Sequence, residues 1–432
     1  MSTVCVVGAG YVGLPTAACL AHLGHDVICV DLDEAKIANL QQGHVEVFED
    51  GLPELVSAGL ASGRLKFAVG ASEAVTATEF VVLCVATPEG ANGGADLSAV
   101  EAVTREIAPL LRSDAVVVTK STMPVGSAAG VALMLQDSGA PSTVAVVSNP
   151  EFLREGTAVR EFLGPHRIVI GADDEVAASR VATLYEGVNA PVVTTSLSSA
   201  EMIKYATNAF LATKISFVNE LANACEALGA DIPEVIRGLE LDARIGFGGL
   251  APGPGWGGSC FPKDTAALMH ATEVAGYGFE LLRATVDVNR RQRSRVVDKI
   301  RDACGGSLDS VRVALWGLTF KANTDDMRFS PAVDIARLLV EHGATVRAFD
   351  PAAGAAARAE LGDLLEIASD AFDAVNDAEV LAVVTEWDEF RNVDLARVAS
   401  MMAKPRIIDA RNVLDPKSAR EAGFEYHGIG RT

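Results

Sequence analysis

Along the first thirty positions the apolar residues follow two periods in turn. They run unbroken from Val4 to Val7 and stop at Gly8, then recur at helical spacing from about Val12 to Leu23, where Gly24 ends the pattern. A second unbroken run, 27–30, ends on Asp31. This predicts strand, tight turn, helix, strand. The alternation continues through "FVVLCVATP" (80–88), "DAVVVTKST" (114–122) and "TVAVVSNPEF" (143–152). Strands apolar on both faces predict a parallel sheet with helices on each side. From Ser198 to Gly229 the chain is one amphipathic run, which predicts a single long helix, a spine between two domains and a surface for a second copy of the chain. After 309 the first layout returns: strand, turn, helix, strand and a terminal Asp350, with further strands near 379–384 and 406–409. The expected organisation is an α/β domain over 1–197, a helical domain over 198–300 and a second α/β domain over 301–432.

The first turn carries chemistry. Gly8, Gly10 and Gly13 spell G-x-G-x-x-G between a strand and a helix, and Asp31 closes the next strand 18 residues after Gly13. In a Rossmann βαβ unit the first glycine permits the turn, the second lets a pyrophosphate approach and the third lets the helix pack on the strand. The pyrophosphate lies at the helix N-terminus, where free N–H groups and the dipole favour an anion. An acid at the end of the second strand accepts from ribose hydroxyls and repels a 2′-phosphate, so NAD is expected rather than NADP. Thr87 and Thr122 follow strands at the carboxyl edge, where such folds bind ligands, although each serves equally well as a turn threonine.

Composition narrows the class. The 432 residues carry a formal charge of −21, which argues against a nucleic-acid partner. The densest basic run, "NRRQRSR" at 289–295, reads as the solvated face of a helix. No apolar run is long enough to cross a bilayer and the start lacks a basic leader, so a soluble, cytoplasmic protein is expected. Seven cysteines show no metal-ligand spacing, the histidines are unclustered, and no metal site is expected. Cys5, Cys29 and Cys84 fall in strands, and Cys19 and Cys225 on helical patterns, as small buried hydrophobes.

Cys260 differs. It lies in "PGPGWGGSCFPKD", with Lys263 and Asp264 three and four residues after it. A side-chain-free loop leaves room for a sugar ring, and a thiol beside a cation and a carboxylate is a candidate nucleophile. "SNPEFLREGTA" sets Glu151 and Glu155 four apart around Arg154, either as solvated charges at a helix start or as groups at the ligand edge. On the long helix Lys204 and Asn208 share a face, where the lysine either snorkels or joins the asparagine toward a substrate hydroxyl. NAD together with a nucleophilic cysteine points to a four-electron oxidation: alcohol to aldehyde, thiohemiacetal, thioester, then hydrolysis to an acid. A two-electron hydroxyacid dehydrogenase has no use for the cysteine loop, and a non-catalytic nucleotide sensor none for the thiol–amine–carboxylate set.

"GAGYVGLP", "KSTMPVG", "NPEFLREG", "LDARIGF", "GPGWGGSCFPKD", "LTFKANTDDMRFSP" and "DARNVLD", in this order over nearly the whole chain, resemble the nucleotide-sugar dehydrogenases, and among them the bacterial UDP-glucose-oxidising branch. The resemblance implies a Rossmann NAD domain, a central helix holding a homodimer or larger assembly, and a Rossmann-like UDP-binding domain. It implies oxidation of UDP-glucose to UDP-glucuronate with two NAD, or the same chemistry on a UDP-N-acetyl sugar or GDP-mannose. Cys260 is then the nucleophile, and Lys204 with Asn208 serves the C6 oxygen. Asp264 handles protons, Glu155 acts in thioester hydrolysis, and Thr122 positions the water or the C6 oxygen.

The resemblance further assigns Tyr11, Val12 and Lys36 to the NAD site with Gly8, Gly10, Gly13, Asp31, Thr87, Thr122 and Glu155, and puts Lys263 and Arg328 near NAD or the diphosphate. Glu151, Phe152, Leu153 and Arg154 would lie along the substrate, Phe247 and Gly255 around uridine and glucose, and Lys321 and Arg411 on the UDP side. Arg244 would reach the substrate from the other subunit. Phe261 fits the glucose-specific branch. Ala86, Met123 and Trp256 depart from the family pattern, and Trp256 would tighten the sugar pocket.

Overall fold

The computed structural model describes residues 1–246 and 248–431; the Phe247 assignment lies outside the described residues. The chain divides into two compact units. The first holds residues 1–207 and 266–277, and the second 208–265 and the described chain from 278 onward. The breaks after 207 and 265 fall inside helices, Leu197–Leu228 and Phe261–Val274, and the break after 277 falls between Phe261–Val274 and Glu280–Ala303.

In the first unit eight strands form one sheet. They are β1 (Thr3–Val7), β2 (Asp26–Asp31), β3 (Leu65–Val69), β4 (Phe80–Leu83), β5 (Val116–Thr119), β6 (Ala145–Ser148), β7 (Ile168–Gly171) and β8 (Val192–Thr195), in the order β3-β2-β1-β4-β5-β6-β7-β8. Successive residues of β1 serve opposite faces: Val4 and Val6 pack with Leu14, Ala17 and Leu20 of helix Gly13–His22, and Cys5 and Val7 with Val75, Val100 and Ile107. That two-sided burial is why the strands read as unbroken apolar runs.

The expected all-parallel sheet needs one correction. β7 runs antiparallel to β6, with Ser148 opposite Gly171. Residues 149–151 leave β6 at the carboxyl edge of the sheet, and Val159 and Phe162 of the following helix Ala158–Leu163 pack into the core on one face. Apolar runs give no direction, so the sequence pattern is silent on this reversal.

The second unit repeats the plan with β9 (Arg312–Trp316), β10 (Thr345–Phe349), β11 (Glu366–Ile367), β12 (Val380–Val383), β13 (Arg406–Asp409) and β14 (Glu425–Gly428). Its order, β11-β10-β9-β12-β13-β14, is parallel throughout. Val313 and Leu315 face one core, and Ala314 and Trp316 the other, where Trp316 stacks on Phe390 at 5.0 Å.

The acid that closes β2 and the acid that follows β10 have diverged. Asp350 is buried and fully engaged inside its own unit. Its Oδ2 accepts from Leu318 N (2.8 Å), Thr319 N (3.0 Å), Thr319 Oγ1 (3.0 Å) and Trp387 Nε1 (3.3 Å), and its Oδ1 from Ala352 N and Ala353 N. No oxygen of Asp350 is left for a ribose. Asp350→Asn turns an amide toward some of these donors, at about 1–3 kcal/mol for each one left unsatisfied. The expected outcome is loss of at least about 2 kcal/mol in urea unfolding followed by tryptophan fluorescence, with NAD binding by the remaining folded protein unchanged.

Candidate functional site

The first unit builds its site on the turn after β1. Gly8 has φ +104°, and a Cβ on Gly13 would lie 1.8 Å from the Gly8 carbonyl oxygen, so both glycines are required by the chain itself. A Cβ on Gly10 meets no protein atom within 4 Å, which leaves an open cradle in front of helix Gly13–His22. Val12 occupies the N-cap position of that helix. Ala9, Gly10 and Tyr11 line a cavity of about 220 Å³ with Lys36, His44 and Val47.

Asp31 borders this turn. Desolvation would raise its carboxyl, but the N–H groups of Ala9 (2.8 Å) and Asp33 (3.1 Å) and the Lys36 ammonium (3.3 Å) hold it below the usual range. The acid is therefore ionised and partly exposed, unlike Asp350. An open glycine cradle at a helix start and an ionised acid at the next strand end fit a dinucleotide with free ribose hydroxyls.

At the carboxyl edge Thr87 and Thr122 meet: the buried Thr87 hydroxyl donates to the Thr122 carbonyl at 2.8 Å. Glu151 and Lys204 meet as well. Their side chains are 5% and 4% exposed, and Lys204 Nζ lies 2.8 Å from Glu151 Oε1 and 5.5 Å from the Phe152 ring centroid. Lys204 does not snorkel, and Glu151 is not a solvated charge. Desolvation would raise Glu151, but Lys204, the Leu153 N–H and, more weakly, Lys120 keep it below the ordinary 4.5. Arg154 is exposed and pairs with Glu161, and Glu155 is half-buried on the turn before helix Ala158–Leu163.

In the second unit Cys260 directly precedes helix Phe261–Val274, and its carbonyl accepts the Asp264 N–H at 2.9 Å. A thiol at a helix N-terminus has the dipole on the side that favours thiolate. Its Sγ is 3.6 Å from Ser259 Oγ. Cys260 is half-buried, whereas burial pushes Cys5 and Cys19 up to about 12 and Cys29 well above 9.0. Cys84, expected in the core, is half-buried. One turn into the helix the buried Asp264 accepts from Asn208 Nδ2 (2.6 Å) and Lys263 Nζ (2.6 Å), so two of the expected residues converge on the carboxylate of a third.

Two readings of the cysteine loop change. Its glycines are required by protein atoms: a Cβ on Gly255 would lie 2.6 Å from Asn289 Oδ1, and one on Gly257 2.0 Å from the Phe329 carbonyl oxygen. Trp256 is buried and donates its indole N–H to Ser216 Oγ at 2.9 Å, so it braces the loop from within. The run 289–295 is not wholly solvated either. Arg290, Arg291 and Arg295 are exposed, but Asn289 and Gln292 are buried and Arg293 pairs with Asp334.

Of the remaining cations, Arg328 chelates Asp326, and Lys321 is half-buried with its ammonium 5.7 Å from the Phe320 ring centroid. Arg411 donates to the carbonyls of Val384 and Phe320, each at 2.9 Å, and pairs with Glu386. Arg244 is exposed and held bidentate by Asp242.

Several supporting residues escape motif reading. Lys120 is buried, 3.2 Å from both Asn149 Oδ1 and Tyr185 OH, and ties the ends of β5 and β6 from which Thr122 and Glu151 extend. Glu49, also buried, accepts from the N–H groups of Gly156 (2.7 Å) and Ala158 beside Glu155. The "KST" stretch was a signal for Lys120, but a carboxylate a hundred residues from its partners leaves none.

Removing one partner of a buried ion pair costs about 3–5 kcal/mol, because the other charge stays desolvated. Lys204→Met is expected to lose that much stability near pH 8. Glu151 is depressed in the native state, so its own contribution is complete above about pH 4.5 and fades as pH falls below it. Without Lys204 its carboxyl takes a proton at higher pH, so the penalty should shrink toward pH 5. Urea unfolding at both pH values, with Glu151→Gln and the double variant, checks this.

Residues 2–189 match the NAD binding domain of the UDP-glucose/GDP-mannose dehydrogenase family, 198–291 its central domain and 314–416 its UDP binding domain. The chain is 45% identical to a UDP-glucose 6-dehydrogenase of Rhizobium meliloti, covering 99% of each chain. It is 42% identical to the UDP-glucose 6-dehydrogenase TuaD of Bacillus subtilis, over 100% of this chain and 94% of that one. A solved UDP-glucose dehydrogenase from Pyrobaculum islandicum superposes with a TM-score of 0.93 at 39% identity, covering 100% of this chain and 98% of the other. With three domains matched in order and relatives this similar over its full length, the chain belongs to the UDP-glucose/GDP-mannose dehydrogenase family.

Proposed function

We propose that this protein is a UDP-glucose 6-dehydrogenase that carries UDP-glucose through both oxidations on Cys260. The overall reaction is UDP-glucose + 2 NAD+ + H2O → UDP-glucuronate + 2 NADH + 3 H+. The observation that carries the mechanism is a half-buried cysteine at a helix start, followed within one turn by a buried carboxylate that holds an amide and an ammonium. The substrate rests on relatives of that name at 42–45% identity. The glycine turn and Asp31 of the first unit would hold NAD, which would supply the hydride acceptor for each oxidation.

The chain's own groups do the rest. Lys204, charged beside Glu151, stabilises negative charge on the C6 oxygen, and Asn208 donates a second hydrogen bond. The Cys260 thiolate adds to the aldehyde carbon, forming a C–S bond, and the second oxidation leaves a thioester. Glu155 draws a proton from water as that water attacks the thioester, with Thr122 positioning it. The C–S bond then breaks and returns the thiolate. Asp264 holds Asn208 and Lys263 in place and relays protons.

A dimer completes the reading. Phe210 and Phe217 lie two turns apart on helix Leu197–Leu228 and are 68% and 59% exposed, an apolar face suited to a second copy. Arg244 is exposed, pairs with the neighbouring Asp242 and is suited to reaching the partner's substrate.

The first test counts NADH per UDP-glucose, with UDP-N-acetyl sugars and GDP-mannose as competitors. Two NADH per UDP-glucose, with turnover abolished in Cys260→Ser, is the expected result; one NADH, or a serine variant that completes both oxidations, rejects the thioester route. The second test mixes subunits. Arg244→Ala and Cys260→Ala should each be inactive alone and regain activity after co-refolding, because a hybrid dimer contains one intact pair. No recovery would place Arg244 with its own subunit's substrate or outside the site.

A further inference from the structure

The motif reading stops at the cysteine and the charges beside it, but the loop leading to Cys260 is gripped from both sides by buried side-chain amides. Asn219, on helix Leu197–Leu228, accepts the Gly253 N–H at 2.8 Å, and Gln292, on helix Glu280–Ala303, donates to the Gly253 carbonyl at 2.9 Å. Asn289 does both at Trp256: its Oδ1 accepts the backbone N–H at 2.7 Å and its Nδ2 donates to the carbonyl at 2.9 Å. Asn219, Asn289 and Gln292 are 0%, 4% and 1% exposed. Each backbone group at Gly253 and Trp256 thus has a partner on a helix rather than on a neighbouring strand.

The grip continues to the thiol. The Gly258 N–H donates to the Arg328 carbonyl at 3.1 Å, the Phe329 carbonyl lies against Gly257, and the Cys260 carbonyl begins the helix. Every residue from Gly253 to Cys260 lies within two positions of a fixed backbone group. Neutral amides suit this task, since a carboxylate cannot donate and an ammonium cannot accept. Packing alone would not require them: two helices in contact are satisfied by apolar side chains, and a buried amide costs stability unless its bonds are made.

We propose that Asn219, Asn289 and Gln292 are positioning residues for Cys260, fixing the backbone of 253–256 so that the thiol arrives at the start of helix Phe261–Val274 in one orientation. This rests on the assignment of Cys260 as nucleophile. It gives the polar positions of the 289–295 run a function the exposed arginines beside them do not share.

The test compares Asn289→Leu, Gln292→Met and Thr285→Ala in the full-length protein. Thr285 is buried between the same two helices, bonded to Thr213 and Leu281, and touches no loop atom by hydrogen bonding. Three quantities are read: melting temperature, kcat and KM for UDP-glucose and NAD, and the pH dependence of Cys260 alkylation by iodoacetamide, resolved by peptide mass spectrometry. The expected result is that all three variants melt lower, while only Asn289→Leu and Gln292→Met lose at least tenfold in kcat with KM for NAD unchanged. In those two the alkylation midpoint should also move up in pH, as the thiol leaves the helix terminus. If kcat falls in step with melting temperature in all three and the Cys260 profile stays put, the amides are only structural and the proposal fails. Should Asn289→Leu not fold, Gln292→Met carries the same reading. The alkylation profile needs no turnover, so the positioning claim stands or falls on it even if Cys260→Ser proves active and the nucleophile assignment is lost.

Discussion

A charge removed from water has to be met by another, and the first unit is arranged around that requirement. Lys204 and Glu151 are both buried and 2.8 Å apart, so the long helix and the segment after β6 are held together by a contact that neither can leave cheaply. Glu151 follows the end of β6, at the carboxyl edge, where the helix reaches it. Lys120 and Asn149 join the strand ends beneath, and Glu49 holds the backbone just beyond Glu155. A pair that costs so much to bury is poorly explained by stability alone.

The second unit meets a different need with a different device. Its loop ends on a thiol at a helix start, and a loop has no ladder of its own to satisfy its backbone. Amides from two helices take that part, and glycines make room for them. The same residue type therefore has two meanings in one chain: Gly10 stands open in front of a helix, while Gly255 and Gly257 are closed upon by Asn289 and the Phe329 carbonyl. Likewise two acids ending equivalent strands have parted. Asp31 keeps its carboxylate at the surface beside Lys36, and Asp350 uses its own to bind the turns of its domain.

Much was legible in the sequence because the determining physics is local. Two-sided burial makes parallel strands read as apolar runs, the βαβ turn needs its glycines at fixed spacing, and the long helix shows its period over Leu197–Leu228 without interruption. The cysteine loop, the Lys204–Asn208 spacing and the acid at Asp31 could be found from residue type and position, and the ordered motifs pointed to the family.

Tertiary structure decided what depends on which distant group arrives. Lys204 could snorkel or be buried until Glu151, 53 positions away, was seen to meet it. The basic run 289–295 looked solvated because charge dominates its composition, yet Asn289 and Gln292 point inward at helical spacing to a loop more than thirty residues earlier. The direction of β7 and the enclosure of Asp350 by Trp387 have the same origin. Local sequence sets which elements form and which residues are capable of chemistry; hydrogen bonds and ion pairs between remote positions set which of those residues are held where the chemistry can use them.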